Sequence, residues 1–309
     1  MSRVVVLGGT GMLGSMLVDE LSRGGDLDVH ATVRTAAAAG GGSAAIDNVG
    51  WTVLDAETAT DAEIREMFEG AAWVINAIGV IKPYIDDANA NQRRRALLVN
   101  GLFPYRLATA AREAGARVLQ IATDCVFSGM KGAYTEHDHH DALDVYGKSK
   151  SLGEVPSASL VHLRCSIVGP EVKSHASLLD WFLGQPNGAE VKGYTDHLWN
   201  GITTLHFAKL CVGVIRSGLP IEGVHHVLPG DAVSKADLLR TFADAFDRTD
   251  VQITPEQAPV ALDRTLATND PEMNARLWSS AGYDEPPTIA AMVGELADFD
   301  LRLKGGVLT

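Results

Sequence analysis

The sequence predicts an α/β fold, a doubly wound parallel sheet followed by a smaller C-terminal region. Three observations carry this: short apolar runs alternate with amphipathic stretches through the first half, a glycine cluster follows the first run, and the alternation weakens beyond Pro170. Residues 4–7 read as a buried strand, 12–21 as the helix that follows, 29–33 as a second strand and 51–54 as a third. The Gly/Ala tract over 36–45 reads as a surface loop between the last two. Helical spacing in Ile64, Met67 and Phe68 leads to a strand at 73–78, a long helical segment over 92–114 leads to a strand at 118–122, and 160–164 is a sixth strand. Trp181, Tyr194 and Trp199 then fall among Gly and Pro, as expected where a chain builds a binding surface, and ordinary amphipathic helices such as 238–246 close the sequence.

Composition excludes several classes. The chain has 309 residues, of which 46% are hydrophobic and 21% charged, the balance of a soluble globular protein with a real core. A formal charge of -13 opposes association with nucleic acid or anionic membrane, so an anionic small ligand must be held by local features. Cys125, Cys165 and Cys211 form no CxxC pair and no even-numbered framework, which fits a reducing cytoplasm. Residues 4–18 imitate a signal peptide, but Gly8, Gly9, Gly11 and Gly14 break the apolar run, and no other run is long enough to span a membrane.

Those glycines supply the local feature. The first strand runs into Gly8-Gly9-Thr10-Gly11-Met12-Leu13-Gly14 and then into a helix. Glycine permits the tight turn and lets backbone approach a pyrophosphate, while the helix N-terminus offers N–H groups and partial positive charge. Strand, glycines and helix in this order indicate a Rossmann-type dinucleotide site at Gly8, Thr10, Gly11, Met12 and Leu13. The second strand ends in Arg34 where an NAD site usually places a carboxylate. NADPH is therefore favoured, with Arg34 on its 2′-phosphate, and NADH is the lesser option. Asp55, past the third strand, suits either the adenine amino group or a turn cap.

In Tyr146-Gly147-Lys148-Ser149-Lys150 the Tyr and the second Lys lie four apart, on one helical face, with Lys148 turned away. A tyrosine is a poor acid or base near neutrality unless a cation lowers its pKa, which Lys150 is placed to do. Thr123, at the carboxyl end of the fifth strand, is placed to donate a hydrogen bond to a carbonyl oxygen. Acid, cation and orienting hydroxyl are what hydride addition to a ketone requires. The structural alternative is a capping Thr beside a solvated helix face.

The run from Ala122-Thr123-Asp124-Cys125-Val126-Phe127-Ser128-Gly129 through Tyr134-Thr135-Glu136 to Tyr146-Gly147-Lys148-Ser149-Lys150 resembles the dTDP-4-dehydrorhamnose reductase branch of the extended short-chain dehydrogenases. Asn76-Ala77-Ile78-Gly79, Leu163-Arg164-Cys165-Ser166 and Trp199-Asn200-Gly201 support the resemblance. It implies NADPH-dependent reduction of the 4-keto group of a nucleoside-diphosphate 4-keto-6-deoxy sugar, with Tyr146 delivering the proton, Lys150 holding the ribose and Thr123 polarising the carbonyl. It adds Ala56, Ala77, Ile78, Gly79, Asn100 and Cys165 to the cofactor wall. At Asn100, proton relay and helix packing stand as equal readings. Lys82, Phe127, Trp199 and Asn200 become substrate candidates, Lys82 for the diphosphate and Trp199 and Asn200 for sugar or base. The alternatives are a solvated loop lysine and a core Trp beside a turn Asn. The implied organisation is an NADP-binding domain over 1–170, with a return segment near 200–230, and a substrate-binding region over 171–199 and 231–309; a homodimer is compatible with it.

Cys125 stands where an aromatic or apolar residue is usual, and Cys165 where the pattern has Thr, which leaves the sugar open. Glu136-His137-Asp138-His139-His140-Asp141 has metal-ligand residue types without the i, i+4 spacing that converges on one ion, so a lid or surface loop is the better reading and no metal is expected. Two rival functions use the same motifs: a noncatalytic nucleotide-binding regulatory subunit, such as the one of methionine adenosyltransferase, and an epimerase or dehydratase that recycles bound NAD.

Overall fold

In the computed structural model, which describes residues 1–35, 46, 48–172 and 177–303, the apolar runs become one sheet. The loop expected over 36–45 lies outside the described residues. The strands are β1 (Ser2–Leu7), β2 (Leu27–Val33), β3 (Gly50–Val53), β4 (Ala71–Asn76), β5 (Arg117–Thr123) and β6 (Leu160–Cys165). Beyond them β7 (Ile167–Val168), β8 (Glu190–Tyr194), β9 (His197–Trp199) and β10 (Ile202–Thr203) lie outside the sheet, and β11 (Gly223–His226) returns to its edge. The order is β11-β6-β5-β4-β1-β2-β3, and every adjoining pair is parallel. Chain direction away from β1 reverses between β1 and β4, and a ligand belongs at the carboxyl ends there.

Alternation along β1 explains the two layers of core. Val4 and Val6 join one cluster with Leu13, Leu17 and Leu21 of the helix Met12–Arg23, whereas Val5 and Leu7 join the other with Phe103 and Leu107 of the helix Phe103–Ala114. Side chains two apart share a face, so a strand covered on both sides reads as a continuous apolar run. The helix Thr204–Ser217 packs beside Met12–Arg23 on the first of these faces. Its neighbour, Asp19, is fully buried and is satisfied by Arg23 and by the backbone and guanidinium of Arg302, which ties the end of the described chain to the first helix.

The segment over 92–114 is not one regular helix. It runs as Ala90–Ala96, a π-helical stretch Leu97–Leu102, and Phe103–Ala114. Pro104 has no N–H and its ring crowds the carbonyl of Asn100, so the ladder widens there and the Phe103 N–H donates to Leu98 O.

The later segments add β12 (Val233–Ser234), β13 (Gln252–Glu256) and β14 (Leu262–Asp263). β12, β9 and β14 form a three-stranded sheet and β13 pairs with β8. Among the described residues no helix is long and apolar enough to cross a membrane.

Candidate active site

The glycine loop is built to bring backbone close to a ligand. Gly8 has φ +84, the left-handed region that side chains avoid, and its N–H donates to Thr32 Oγ1 at 3.0 Å. The N–H of Gly9 donates to Thr32 O at 2.8 Å, so β2 holds the turn. A Cβ on Gly14 would lie 2.0 Å from Gly8 O; only glycine lets the helix start this near the strand. That helix takes Gly11 as its N-cap with no side-chain cap, leaving its first N–H groups available to an anion. A dinucleotide diphosphate fits this cradle.

The loop opens into a cavity of about 590 Å³ along the carboxyl ends of β1 to β6, a size typical of ligand sites. Gly8, Thr10, Gly11, Met12 and Leu13 line one end, with Arg34, Asp55 and Ala56 from the ends of β2 and β3. Ala77, Ile78 and Gly79 follow β4, and Thr123 and Cys165 close β5 and β6. Asp55 also accepts from the Glu57 N–H at 3.0 Å, so it serves as a turn cap while lining the cavity.

At the other end the helix Val145–Leu152 delivers Tyr146 and Lys150. Asp144 caps it, accepting from the Gly147 N–H at 2.7 Å, and a Cβ on Gly147 would meet Cys125 O at 2.3 Å, so this helix lies hard against the end of β5. That approach sets Tyr146 in the cavity wall together with Thr123, whose hydroxyl donates to Asp124 at 3.2 Å. Lys150 Nζ donates to Ile121 O at 3.0 Å. The expectation that Lys150 lowers the Tyr146 pKa needs correction. Burial, with Cys125, Asp124 and Asp144 nearby, pushes Tyr146 up, and the Thr123 hydroxyl only partly offsets this. Burial also pushes Lys150 down to about 8 and the Cys125 thiol up to about 12. Near neutrality Tyr146 is therefore a held proton donor, Lys150 a cation and Cys125 a neutral thiol.

Five of the sequence candidates stand elsewhere. Asn100 lies behind the wall: its side chain accepts from the Val80 N–H at 2.8 Å and donates to Val80 O and to Ser149 Oγ. It thereby pins the loop after β4 to the helix of Tyr146. Lys82 is exposed and paired with Asp144 at 2.7 Å. Phe127 is fully buried, its ring stacked on Tyr134 with centroids 4.3 Å apart. The Asn200 amide bonds both backbone groups of Leu266, at 2.7 and 2.9 Å. Trp199 is buried and its indole N–H donates to Ser166 Oγ at 2.8 Å, so it supports a cavity residue from behind.

The acidic and histidine-rich stretch is anchored rather than loose. Glu136 accepts from the His226 and Asn269 N–H groups, Asp138 pairs with Lys131, and Asp141 accepts from Ser128. His140 bonds Ser151 and the buried Arg164, which also pairs with Glu154. Arg95, whose run Arg93-Arg94-Arg95 reads in the sequence as a solvated helix start with phosphate binding as the lesser option, lines the cavity, as does Tyr84, which the sequence did not mark.

A family model, the RmlD substrate binding domain, matches residues 2–298. Methionine adenosyltransferase 2 subunit beta of Danio rerio is 30% identical over 165 residues, 49% of this chain and 50% of that protein. The dTDP-4-dehydrorhamnose reductase of Streptomyces griseus is 30% identical over 164 residues, 49% of this chain and 43% of that one. The chain thus spans half or less of the length of these curated relatives. Among solved structures, the dTDP-4-dehydrorhamnose reductase of Bacillus anthracis in complex with NADP superposes with a TM-score of 0.73 at 18% identity, covering 96% of this chain and 99% of that one.

Proposed function

The chain belongs to the RmlD substrate-binding-domain family, and from that premise we propose that it reduces the 4-keto group of a nucleoside-diphosphate 4-keto-6-deoxy sugar with NADPH. The observation that carries this reading is that Thr123, Tyr146 and Lys150 line the same cavity as the uncapped glycine loop. NADPH, when bound, supplies the hydride. The chain's own residues do the rest. The uncapped N–H groups of Met12 and Leu13 at the helix start hold the diphosphate against the turn made by Gly8 to Gly11, and Arg34 at the far end takes the 2′-phosphate, favouring NADPH over NADH. Thr123 donates to the substrate carbonyl oxygen and Tyr146 Oη delivers the proton to that oxygen as the C–H bond forms. A raised Tyr146 pKa suits an acid that must stay protonated until this moment. Lys150, cationic below its pKa of about 8, stabilises the phenolate left behind and holds the ribose hydroxyls.

Similarity to the Danio rerio beta subunit favours a second reading, a noncatalytic partner subunit. Following NADPH oxidation across a panel of nucleotide-linked 4-keto-6-deoxy sugars separates the two. Reduction predicts turnover with at least one sugar, slowed about 10²–10⁴-fold in Tyr146→Phe; tight NADPH binding without turnover on any sugar sinks it in favour of the partner subunit. The same proposal includes a homodimer, supported by exposed Leu97, Leu102, Tyr105 and Leu152 on the helices beside the site.

A further inference from the structure

The acidic and histidine-rich stretch, which the reaction does not use, meets one buried cation. Arg164, in β6 next to the cavity residue Cys165, is fully buried and holds partners from three segments. Its Nε and Nη2 form a two-point pair with Glu154, just beyond the helix Val145–Leu152. Its Nη1 lies 2.6 Å from His226 Nε2 in β11, and its Nη2 lies 2.9 Å from His140 Nε2 in the loop before that helix. The Phe127 ring lies 5.2 Å from the guanidinium and meets both imidazoles edge-on. His140 Nδ1 in turn lies 2.7 Å from the Oγ of Ser151, which is in the last turn of the helix and next to Lys150.

A guanidinium has only donors, and this fixes the protons on both rings. Each Nε2 facing Arg164 must be a bare acceptor, so each imidazole is neutral and carries its proton on Nδ1. His226 gives the same answer independently, since its Nδ1 faces Ala267 O at 2.6 Å, an atom that only accepts. The His140 Nδ1–H therefore donates to Ser151 Oγ. A second proton on His140 sets an N–H against Arg164 Nη2, and Glu154 Oε2, 3.6 Å away, is already taken by Arg164. Burial foremost, and then the Arg164 charge, hold His140 below the ordinary histidine value, against Glu154 at the helix end and Asp141 in its own loop. The side chain of His140 is 23% exposed whereas His226 is buried, so acid reaches His140 first.

We infer that His140 is a positioning residue for the reaction centre: as a neutral imidazole it locks the C-terminal end of the helix carrying Tyr146 and Lys150 to Arg164, and on protonation it releases that end. The rest of the helix is held otherwise, by Asp144 on Gly147 and by Asn100 on Ser149, so the release is confined to the turn of Lys150 and Ser151. The locked form binds fewer protons than the released one. The lock is therefore complete above the ordinary histidine value of about 6.5 and fails as pH falls below it. Its effect on turnover rests on the reductase reading above; the release of the helix does not.

The test follows amide hydrogen exchange by mass spectrometry in the cofactor-free protein at pH about 7.5 and about 5.5, corrected for intrinsic rates, in peptides covering 145–154 and β1. His140→Gln, which offers an acceptor and a donor but takes up no proton, and His140→Leu, which offers neither, run beside the parent. Protection of the helix is expected to fall about tenfold or more in the parent at the lower pH while β1 holds. His140→Gln keeps it at both values, and His140→Leu lacks it at both. Rate profiles follow the same order: an acid limb in the parent, none in His140→Gln, and a kcat lower by about tenfold throughout in His140→Leu. Should His140→Leu fail to hold β1, the parent and His140→Gln decide alone. Helix protection that ignores pH in the parent, or falls equally in His140→Gln, overturns the inference, as does a loss that takes β1 with it. Failure to turn over any 4-keto sugar while the exchange pattern holds overturns the reduction and leaves the role of His140 standing.

Discussion

Tyr146, Lys150 and Thr123 were legible because their chemistry lies in two short stretches whose spacing alone sets a shared face and a strand end. What could not be read was the sign of the Tyr146 shift, which depends on how deeply the Val145–Leu152 helix sinks against Cys125. The consequence is a pH profile with one descending limb. Tyr146 stays protonated, whereas Lys150 loses its charge as pH rises through about 8, so kcat/KM for NADPH falls through that value. Lys150→Arg, which keeps its charge, moves the limb to higher pH; a parent profile flat from pH about 7 to about 9.5 contradicts the assignment. Asn200 and Phe127 were misplaced toward substrate for a different reason. Their partners, Leu266 and Tyr134, come from other segments, and burial settled by a partner 66 positions away leaves no local signal. Asn200→Leu strips both Leu266 backbone groups of their partner, and a loss of about 1–3 kcal/mol is expected in denaturant unfolding.

The glycine loop was fully legible among the elements, since steric need dictates glycine wherever it is used. The 2.0 Å approach of a Gly14 Cβ to Gly8 O gives a direct prediction. Gly14→Ala pushes the helix off the strand, costs about 1–3 kcal/mol of stability and weakens NADPH further, because the N–H groups move with the helix. Equilibrium unfolding and cofactor titration check both, and a variant with parent-like NADPH affinity would show that the cradle is looser than described. By contrast, the apolar period over 92–114 announced a helix but hid the π stretch at Leu97–Leu102. Pro104 was the available signal. Asn100 lies within that stretch and its side chain holds Val80 and Ser149, so the irregular segment joins the loop after β4 to the helix of Tyr146.

At the scale of the whole molecule a doubly wound parallel sheet was readable from alternation, and a return segment near 200–230 was implied by the resemblance, but the returning strand β11 itself was not marked by its residues. β11 carries two histidines, and its burial comes from Glu136, Arg164 and Ala267 contributed by distant segments. Those contacts make acid the vulnerability of the fold. Burial pushes His162, His206 and His226 each down to about 4. Between pH about 4 and about 6.5 the unfolded chain therefore binds more protons than the folded one, so stability rises with pH across that window and is lost on acidification. Melting temperature should fall steeply from pH about 6.5 toward pH about 4.5, and His226→Gln should flatten part of that slope. One measurement bears on the central claim most directly. NADPH carrying deuterium at the transferred position of C4 is incubated with the protein and a nucleotide-linked 4-keto-6-deoxy sugar, and the sugar product is analysed by mass spectrometry and proton resonance. Reduction at this site predicts one deuterium per product, located on sugar C4, with the transfer abolished in Tyr146→Phe. Product formed without label at C4, or NADPH returned unoxidised with every sugar, contradicts it.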